Sequence, residues 1–479
     1  MSESKIATER HLKFTMSRCL VCKKPSPAEV FTKPNGTSSE VFMRRTCPDH
    51  GTQTVRISSD SRFYWLAHGS PENSKHSCGC SGGSCSPAGR GGRSGTLGRN
   101  FTDVTSLGSL EKLSTCVALI EIVNSCNLAC PTCFADSPVG VRGENLDFVP
   151  FDEVVRRIEG VIALKGGIEI LQLSGGEPTL HPEFFRLIEW IRIHPKIDYL
   201  VINTNGLRFA NDPDFVSEIG RLQAKFDNIE LYLQFDGVGG AGQKELRGAD
   251  LRGTRIRAIH NCAAINLPIT LAMTVTHDNI GQLGESAEFA LGFKHLRGLS
   301  FQPRFRSGRI PAALSSSPAL SPISVADIVA ELNEQLPKGI PRVEFVSLPC
   351  GDPNCATIGW LLRIGGSYFS PAQVGIDIAE LHALVPDRIR WKIEDLAKCG
   401  CDGSPLGEAL KKLESMRADE SNTFRFFIKP FMDAATWDND RIDRCCTHVI
   451  RPDGKLDSFC RYYSGFPDTW NGPKTASSA

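Results

Sequence analysis

Between residues 116 and 302 the sequence alternates short apolar segments with amphipathic ones, and this alternation restricts the fold more than any other feature. Six segments rich in aliphatic and branched residues are predicted to be strands: 116–123, 168–174, 198–204, 229–235, 269–275 and 296–302. Helical periodicity occupies each interval between them. Such alternation means βαβ units with right-handed crossovers, so the sequence predicts an α/β fold with a parallel sheet. Functional residues should then lie at the carboxyl ends of the strands.

Composition changes on both sides of this core and predicts the domain organisation of the 479-residue chain. The stretch CGCSGGSCSPAGRGGRSGTLG, which starts at residue 78, cannot pack a core and is predicted to be a linker or a metal-binding loop. Beyond residue 304 the periodicity weakens and cysteines become frequent again. We therefore predict a metal-ribbon-like domain at 1–77, a Gly/Cys-rich linker at 78–114, the core at 115–304 and an auxiliary metal-binding domain at 305–479.

Charge and hydropathy exclude several classes of partner. Lys and Arg together number 54, as do Asp and Glu, so the chain has no net charge, which argues against nucleic acid as a partner. The first residues are polar and no long apolar run follows, so we expect a cytoplasmic protein with at most peripheral membrane contact. In that compartment the 18 cysteines are expected to be metal ligands rather than disulfides.

The loop after the first predicted strand reads NSCNLACPTCFADS and supplies three thiolates, from Cys126, Cys130 and Cys133. A 4Fe–4S cube is usually held by four cysteines, so three ligands leave one iron open. An open coordination position is what a catalytic metal requires, whereas a structural metal is closed. The spacing therefore predicts a catalytic cluster.

Further polar residues and glycines follow the next three strands. SGGEPTLHPE follows the second strand; the pair Gly175 and Gly176 lets backbone approach a ligand closely, and Glu177 adds an acceptor. The third and fourth strands end in NTNG and QFDG, which supply the candidate ligand-binding residues Asn203, Asn205, Gln234 and Asp236. Asn-Gly and Asp-Gly are also favoured turn pairs, so a purely conformational role remains an alternative for these four.

The N-terminal segment has the pattern of a small metal ribbon. A CxxC pair, Cys19 and Cys22, precedes a predicted hairpin, and CPDHG with Cys47 follows it. Such a site takes zinc or a single iron, and the sequence does not separate the two metals. The fourth ligand is expected to come from one of four residues: His50, Cys78, Cys80 or Cys85.

The C-terminal cysteines predict an auxiliary iron–sulfur cluster. PCGDPNC and DRCCTHVIRPDGKLDSFC bring four foremost candidates, namely Cys350, Cys355, Cys446 and Cys460. A turn at residues 452–454 is expected to bring the two arms of the second segment together. Cys399, Cys401 and Cys445 are further candidates, and one to three of the seven are expected to be buried small hydrophobes instead.

CxxxCxxC followed by the aromatic Phe134, at the end of the first strand of a βα repeat, resembles the signature of the radical S-adenosylmethionine (SAM) superfamily. The resemblance implies a partial (βα)6 TIM-like barrel in which the open iron binds the amino and carboxylate groups of SAM. It implies that SAM is cleaved to a 5′-deoxyadenosyl radical, which abstracts hydrogen from a C–H bond. It also implies that the segment at Gly175–Glu177 contacts the methionine amino group, and that a reductase, ferredoxin or flavodoxin donates the electron.

Four segments occur in the same order as in the subfamily that contains the archaeal tetraether lipid synthase. They are CPDHG, the loop NSCNLACPTCFADS with Cys126, Cys130 and Cys133 (the cluster loop), SFQPRFRSGR and RCCTHVIRPDGKLDSFC. Its members have also been described as 7,8-dihydro-6-hydroxymethylpterin methyltransferases. The resemblance implies carbon–carbon bond formation between lipid alkyl chains. Methylation or other modification of a pterin or small metabolite is the alternative, and a non-catalytic iron–sulfur scaffold is the third. An apolar tunnel would favour the first and a polar cavity the second.

Overall fold

The structure is a computed structural model that describes residues 9–65, 115–138, 146–311, 321–348, 350–384, 407–408, 411 and 420–469. The predicted linker, with Cys78, Cys80 and Cys85, lies outside the described residues, as do Cys399 and Cys401.

The N-terminal segment forms a four-stranded antiparallel sheet in the order β1-β2-β3-β4. Its strands are β1 (Arg10–Arg18), β2 (Pro25–Asn35), β3 (Ser38–Cys47) and β4 (Gly51–Ser58). Alternate residues of β2 and β3, among them Val30, Val41 and Met43, are buried and pack on Tyr64. This small core leaves the turns at Cys19–Cys22 and Cys47–His50 on the same end of the sheet, because β1 and β3 both end there.

The six predicted parallel strands form the centre of a second sheet, which confirms the predicted fold class. They are β5 (Val117–Val123), β6 (Ile168–Gly175), β7 (Ile197–Thr204), β8 (Ile229–Gln234), β9 (Ile269–Val275) and β10 (Leu296–Pro303), each paired in parallel with the next. The helices between them are α1 (Phe151–Lys165), α2 (Phe184–Ile193), α3 (Leu207–Asn211), α4 (Pro213–Lys225), α5 (Gln243–Arg247), α6 (Arg252–Ala264) and α7 (Leu283–Leu291). Each crossover connection between consecutive parallel strands thus contains at least one helix.

The C-terminal segment extends both edges of this sheet. One edge continues through β14 (Thr423–Ile428), which is parallel to β10, to β12 (Thr357–Ile364), β11 (Phe345–Ser347) and β13 (Ser367–Phe369). The other continues through β15 (Thr447–Ile450), parallel to β5, to β16 (Leu456–Ser458). Further helices among the described residues are α8 (Val325–Gln335), α9 (Ile378–Leu384), α10 (Asn439–Asp443) and α11 (Phe459–Tyr463).

This arrangement differs from the separate domain that the sequence predicts from residue 305. The edge strands of a six-stranded sheet leave backbone N–H and C=O groups unpaired, and the C-terminal strands pair with them. The N-terminal sheet packs against the same region, where the buried Arg45 donates to the carbonyls of Ala434 and Ala435. Among the residues that the structure describes, no helix has both the length and the apolar character needed to cross a bilayer.

The strands of the core have two chemically different faces. Leu171, Leu200 and Leu231 point outward into the helical layer and are fully buried. Gln172 and Asn203, which follow Leu171 and Leu200 by one and three residues, instead line a cavity enclosed by the strands. Because side chains alternate along a strand, the apolar segments of the sequence thus supply the core on one face and, on the other, a lumen lined by both polar and apolar side chains.

Candidate functional site

Cys126, Cys130 and Cys133 lie on the loop after β5, at the carboxyl ends of the parallel strands. All three are partly exposed and line a cavity of about 340 Å³ that continues into the lumen. Burial raises the pKa of the Cys126 thiol to about 12, and the nearby carboxylate of Glu177 adds to the effect. A bound cation is therefore needed to keep this sulfur as a thiolate, which is the form that ligates iron.

Arg309, which follows β10, fastens the cluster loop to the rest of the barrel. Its backbone N–H donates to the carbonyl of Cys133 at 2.9 Å, and Cys133 donates back at 3.0 Å. Its guanidinium donates to the carbonyls of Cys130 at 3.0 Å and Ser137 at 3.2 Å. Sequence reasoning did not assign this residue a role, although its motif SFQPRFRSGR carried part of the family resemblance.

The paired glycines approach the backbone of the cluster loop. Gly175 has a φ of +126°, and a Cβ there would lie 2.0 Å from the carbonyl oxygen of Val123. A Cβ on Gly176 would lie 2.1 Å from the carbonyl oxygen of Ser125, and the N–H of Gly176 donates to Val123 at 2.6 Å. The close approach predicted for a ligand is therefore present between two segments of the chain itself, which brings the two predicted loops together.

Glu177 is buried and its carboxylate is already hydrogen-bonded. One oxygen accepts from the hydroxyls of Thr179 at 2.7 Å and Thr204 at 2.8 Å, and the other from the N–H of Asn205 at 2.7 Å. Burial raises the pKa of this carboxyl. In this arrangement Glu177 holds the loop after β7 against the loop after β6.

Asn205 and Asn203 lie at the mouth and on the wall of the cavity. The Asn205 amide donates to the side chain of Asn127 at 2.6 Å, within the cluster loop, and its Nδ2 lies 4.0 Å from the sulfur of Cys126. The Asn203 amide donates to the hydroxyl of Ser174 at 3.1 Å. Asn205 thus stands beside the first cysteine, and Asn203 faces the lumen below it.

Gln234 and Asp236, both predicted to bind a ligand after the fourth strand, occupy different positions. Gln234 lines the cavity, whereas Asp236 is fully buried beneath it with a φ of +64°. Asp236 pairs with Arg247 at 2.6 Å and accepts from the amide of Gln234 at 2.6 Å. Asp236 therefore orients Gln234 and Arg247, two side chains that reach the cavity.

Phe134 packs in an aromatic group next to the cluster loop. Its ring lies 4.9 Å from that of Tyr463, edge to face, and 5.4 Å from that of Phe459. Phe305 completes the contact at 6.5 Å. Of this group, Phe134, Phe305 and Phe459 form an apolar wall of the cavity on the side of the C-terminal segment.

The ribbon residues form a compact group. The sulfurs of Cys22 and Cys47 lie 3.8 Å apart, and His50 Nδ1 lies 3.6 Å from the sulfur of Cys19 and 3.5 Å from that of Cys47. A tetrahedral ion with metal–sulfur bonds near 2.3 Å separates its ligands by about 3.8 Å. The donors therefore fit one metal ion, and His50 offers a fourth donor atom among the described residues.

A second compact group joins Cys116, Cys350 and Cys446, all buried, with the sulfurs of Cys350 and Cys446 3.2 Å apart. Cys116 was not foreseen as a ligand at this position, because it lies more than 200 residues before its partners. Cys355 and Cys460 make other contacts: the sulfur of Cys355 lies 4.0 Å from the carbonyl of Arg441, and that of Cys460 accepts from Met432.

Polar side chains from successive strands form contiguous rows in the lumen. Glu230 on β8 accepts from Tyr199 at 2.8 Å and pairs with Arg425 of β14 at 3.1 Å. Above it, Tyr232 donates to Ser300 at 2.5 Å and accepts from Gln302 at 2.7 Å. Such a lining can bind a molecule that has several donors and acceptors.

Residues 120–290 match the model of the Radical SAM superfamily, and residues 11–59 match the HMPTM N-terminal zinc ribbon domain. The chain therefore carries a radical SAM domain and is a radical SAM enzyme, as its sequence predicts. An enzyme of this class uses a 4Fe–4S cluster and SAM, and the three thiols open to one cavity fit that requirement. The additional cysteine groups and the ribbon fit auxiliary metals.

Several known proteins are similar to this chain. The 7,8-dihydro-6-hydroxymethylpterin dimethyltransferase of Methanocaldococcus jannaschii is 24% identical over 509 residues, which covers 94% of this chain and 93% of that protein. The GTP 3′,8-cyclase of Klebsiella pneumoniae is 36% identical over 25% of this chain and 36% of its own length. The solved structure of Streptococcus suis SuiB bound to S-adenosylmethionine has 17% identity and a TM-score of 0.34, covering 43% of this chain and 45% of that one.

Proposed function

We propose that this radical SAM enzyme modifies a small polar heterocycle of the pterin type, with methylation as the reaction to test first. The observation that carries the proposal is the set of polar side chains that successive strands place, among apolar residues, in the wall of the cavity beneath the cluster loop. A ring rich in N–H donors and acceptors would leave groups unpaired in an apolar cavity, at about 1–3 kcal/mol for each buried group. The rows formed by Glu230, Tyr232 and Gln302 supply partners for such a ring.

The proposed roles of the site residues follow from their positions. Cys126, Cys130 and Cys133 ligate the cluster, which with SAM bound supplies the 5′-deoxyadenosyl radical. The segments that border the open side of the loop orient SAM; their residues are Phe134, Gly175, Gly176, Glu177, Asn203, Asn205, Gln234 and Asp236. In this arrangement Glu177 and Asp236 act by positioning neighbours, since their carboxylates are occupied.

Coupling of lipid alkyl chains remains the second candidate. It is favoured by the apolar residues of the cavity lining, which include Phe427 and Phe431 in addition to the wall that contains Phe459. An alkyl chain in the lumen would, however, lie against Glu230 and Arg425 and disturb a buried ion pair. A pterin-like substrate is therefore the better fit, and the similarity to the pterin dimethyltransferase over 94% of the chain supports the same choice.

The proposal is tested by anaerobic reconstitution with iron and sulfide, followed by incubation with SAM, a flavodoxin-type reductant and 7,8-dihydro-6-hydroxymethylpterin. We expect 5′-deoxyadenosine and methionine from the SAM that is cleaved. We also expect a pterin that is heavier by one or more CH2 units in mass spectrometry, with a second SAM as methyl donor and S-adenosylhomocysteine as its product. A parallel incubation with a lipid extract is the comparison. Deoxyadenosine formation that depends on the lipid but not on the pterin would overturn the proposal.

Tyr232→Phe sharpens this test because it removes a single hydroxyl from the lumen. We expect deoxyadenosine to form while the modified pterin falls about tenfold, since Ser300 and Gln302 lose their shared partner. Tyr368→Phe is the matched control: its hydroxyl donates to the carbonyl of Leu291, in the helical layer. Equal effects of both substitutions would argue against a substrate in the lumen.

A further inference from the structure

Six cationic side chains line the cavity: Arg247, Arg255, Arg304, Arg309, Arg425 and Lys429. Four of the arginines have a carboxylate within 4.0 Å, which is Asp236 for Arg247, Glu245 for Arg304, Glu230 for Arg425 and Asp136 for Arg309. The buried Arg255 donates to the carbonyl of Asn205, and its Nε and Nη2 have no hydrogen-bond partner among the described residues. Four of the six charges are thus offset by carboxylates of the protein itself.

The partners of Lys429 differ from those of the four arginines that have a carboxylate nearby. Its ammonium donates to the hydroxyl of Thr447 at 2.5 Å and lies 5.7 Å from the centre of the Phe431 ring. Within the described part of the chain, no carboxylate oxygen lies within 4.0 Å of it. An ammonium has three donors, and a charge in a partly buried site is stabilised by pairing. Lys429 therefore retains donors and charge for a partner that the cavity admits.

The position of Lys429 suits contact with a substrate. It follows β14 directly, and its N–H donates to the carbonyl of Phe301 at 3.0 Å, which continues the pairing with β10. Its side chain reaches Thr447, the first residue of β15. The contact thus joins the two edges of the parallel sheet, between β14 and β15, at the wall of the same cavity that contains the cluster loop.

We propose that Lys429, with Thr447, is an anion subsite that binds an oxyanion of the substrate, a phosphate or a carboxylate. This inference rests on the proposed function and narrows it: the substrate is a polar heterocycle that carries an anionic substituent. A lysine ammonium binds phosphate as a point charge, and the adjacent hydroxyl adds a directed hydrogen bond. The ring then extends from this wall into the polar lumen, toward the cluster loop.

The test compares 7,8-dihydro-6-hydroxymethylpterin, its phosphate ester and pterin-6-carboxylate by calorimetry with the reconstituted holoenzyme and SAM. We expect the two anionic compounds to bind about tenfold more tightly than the neutral alcohol. Lys429→Gln should abolish that difference, and Lys429→Arg should keep most of it. Lys225→Gln is the control, because Lys225 pairs with Glu189 at the surface of the barrel.

The two proposals fail in different ways. If none of the pterins binds, the substrate class is wrong, and inorganic phosphate then tests the subsite alone; binding that Lys429→Gln removes would still support it. Dihexanoyl phosphatidic acid separates the two sources of phosphate: tighter binding than the pterin ester would keep the anion subsite and replace the heterocycle by a lipid headgroup.

The subsite is overturned if the wild-type protein binds ester and alcohol equally, or if Lys429→Gln weakens both to the same extent. It is also overturned if Lys429→Gln leaves the preference intact but lowers the iron content. Lys429 is close enough to Cys350 and Cys446 to interact with their charges. That last result would show that Lys429 offsets the charge of this cysteine group instead.

Discussion

The ribbon and the cluster loop both present cysteines, but the ribbon groups them into a closed ligand set and the loop exposes them to a cavity. In the ribbon, three cysteines and His50 converge from two turns of an antiparallel sheet, with donor atoms 3.5–3.8 Å apart. In the cluster loop, three cysteines follow one parallel strand and open onto a cavity of about 340 Å³. Among the described residues, the four ribbon donors all lie within 4.8 Å of one another, whereas the three loop sulfurs do not.

This difference separates a structural site from a catalytic one. A closed set of four ligands around one ion leaves no coordination position for a substrate, whereas three ligands around a cube leave one. The surroundings agree: the ribbon turns rest on a small core of their own, while the cluster loop is fastened by Arg309 and by the paired glycines at the rim of the barrel.

The sharpest test of the comparison is the loss of a loop cysteine. We expect Cys130→Ala to reduce deoxyadenosine formation to that of the protein without a cluster, because two ligands do not hold the cube. Since the three cysteines act as a unit, the single variant should be as inactive as the triple variant. Product analysis after anaerobic reconstitution gives the measurement, and a single variant with wild-type rate would remove the catalytic assignment of the loop.

The next effect concerns the support of that loop. Gly176→Ala would place a Cβ 2.1 Å from the carbonyl oxygen of Ser125, so the cluster loop must move. We expect a stability loss of about 1–3 kcal/mol and a marked fall in deoxyadenosine formation. Gly160→Ala on α1 is the matched control, since nothing lies within 4 Å of its Cβ and it should stabilise the helix slightly. Equal behaviour of the two variants would mean that the glycine pair does not position the loop.

The fold of the core could be predicted from sequence because its signals are local. Each strand of the barrel is a short apolar segment, and each helix follows at its own periodicity. The two faces of these strands were harder to separate, since Gln172 and Tyr232 stand singly among aliphatic residues and look like interruptions of a buried strand. Only the curvature of the sheet shows that such positions share one lumen.

The site was predictable where its residues are close in sequence, as in the cluster loop and the ribbon. The group around Cys116 was not, because β15 and β5 meet only after the chain has completed the barrel. Arg309 and Lys429 were missed for a related reason. Each follows a strand whose edge contacts are long-range. The motif SFQPRFRSGR marks the region of Arg309 without indicating its contacts, and nothing in the neighbouring sequence distinguishes Lys429 from an ordinary surface cation.

That buried cysteine group gives the third test. We expect Cys350→Ala to remove iron and visible absorption in excess of the catalytic cluster, because the sulfur of Cys350 lies 3.2 Å from that of Cys446. Cys460→Ala should leave both unchanged, since its sulfur accepts from the backbone N–H of Met432 and is not part of the group formed by Cys116, Cys350 and Cys446. Iron analysis and absorption spectra of the two variants give the answer. Iron loss from both variants would favour the ligand set expected from the sequence, which contains Cys460 as well as Cys350.

The smallest effect on activity is expected when the ribbon loses its metal. Cys22→Ser removes one of the four donors and should release the ribbon metal. Structural ions of this kind contribute on the order of 10 kcal/mol to the folding of small domains, so the ribbon should also lose stability. Deoxyadenosine formation should fall by less than about tenfold, since contacts such as that of Arg45 with Ala434 join the ribbon to the C-terminal segment rather than to the cluster loop.

The measurement combines metal analysis with the rate of deoxyadenosine formation at a temperature below the unfolding transition of the variant. Arg62→Gln is a suitable control, because its pair with Asp60 is exposed and lies beyond the metal turns. A collapse of activity in Cys22→Ser with the catalytic cluster still present would contradict the division into structural and catalytic sites. The ribbon metal would then have to act on the reaction itself, by electron transfer or by direct contact with the substrate.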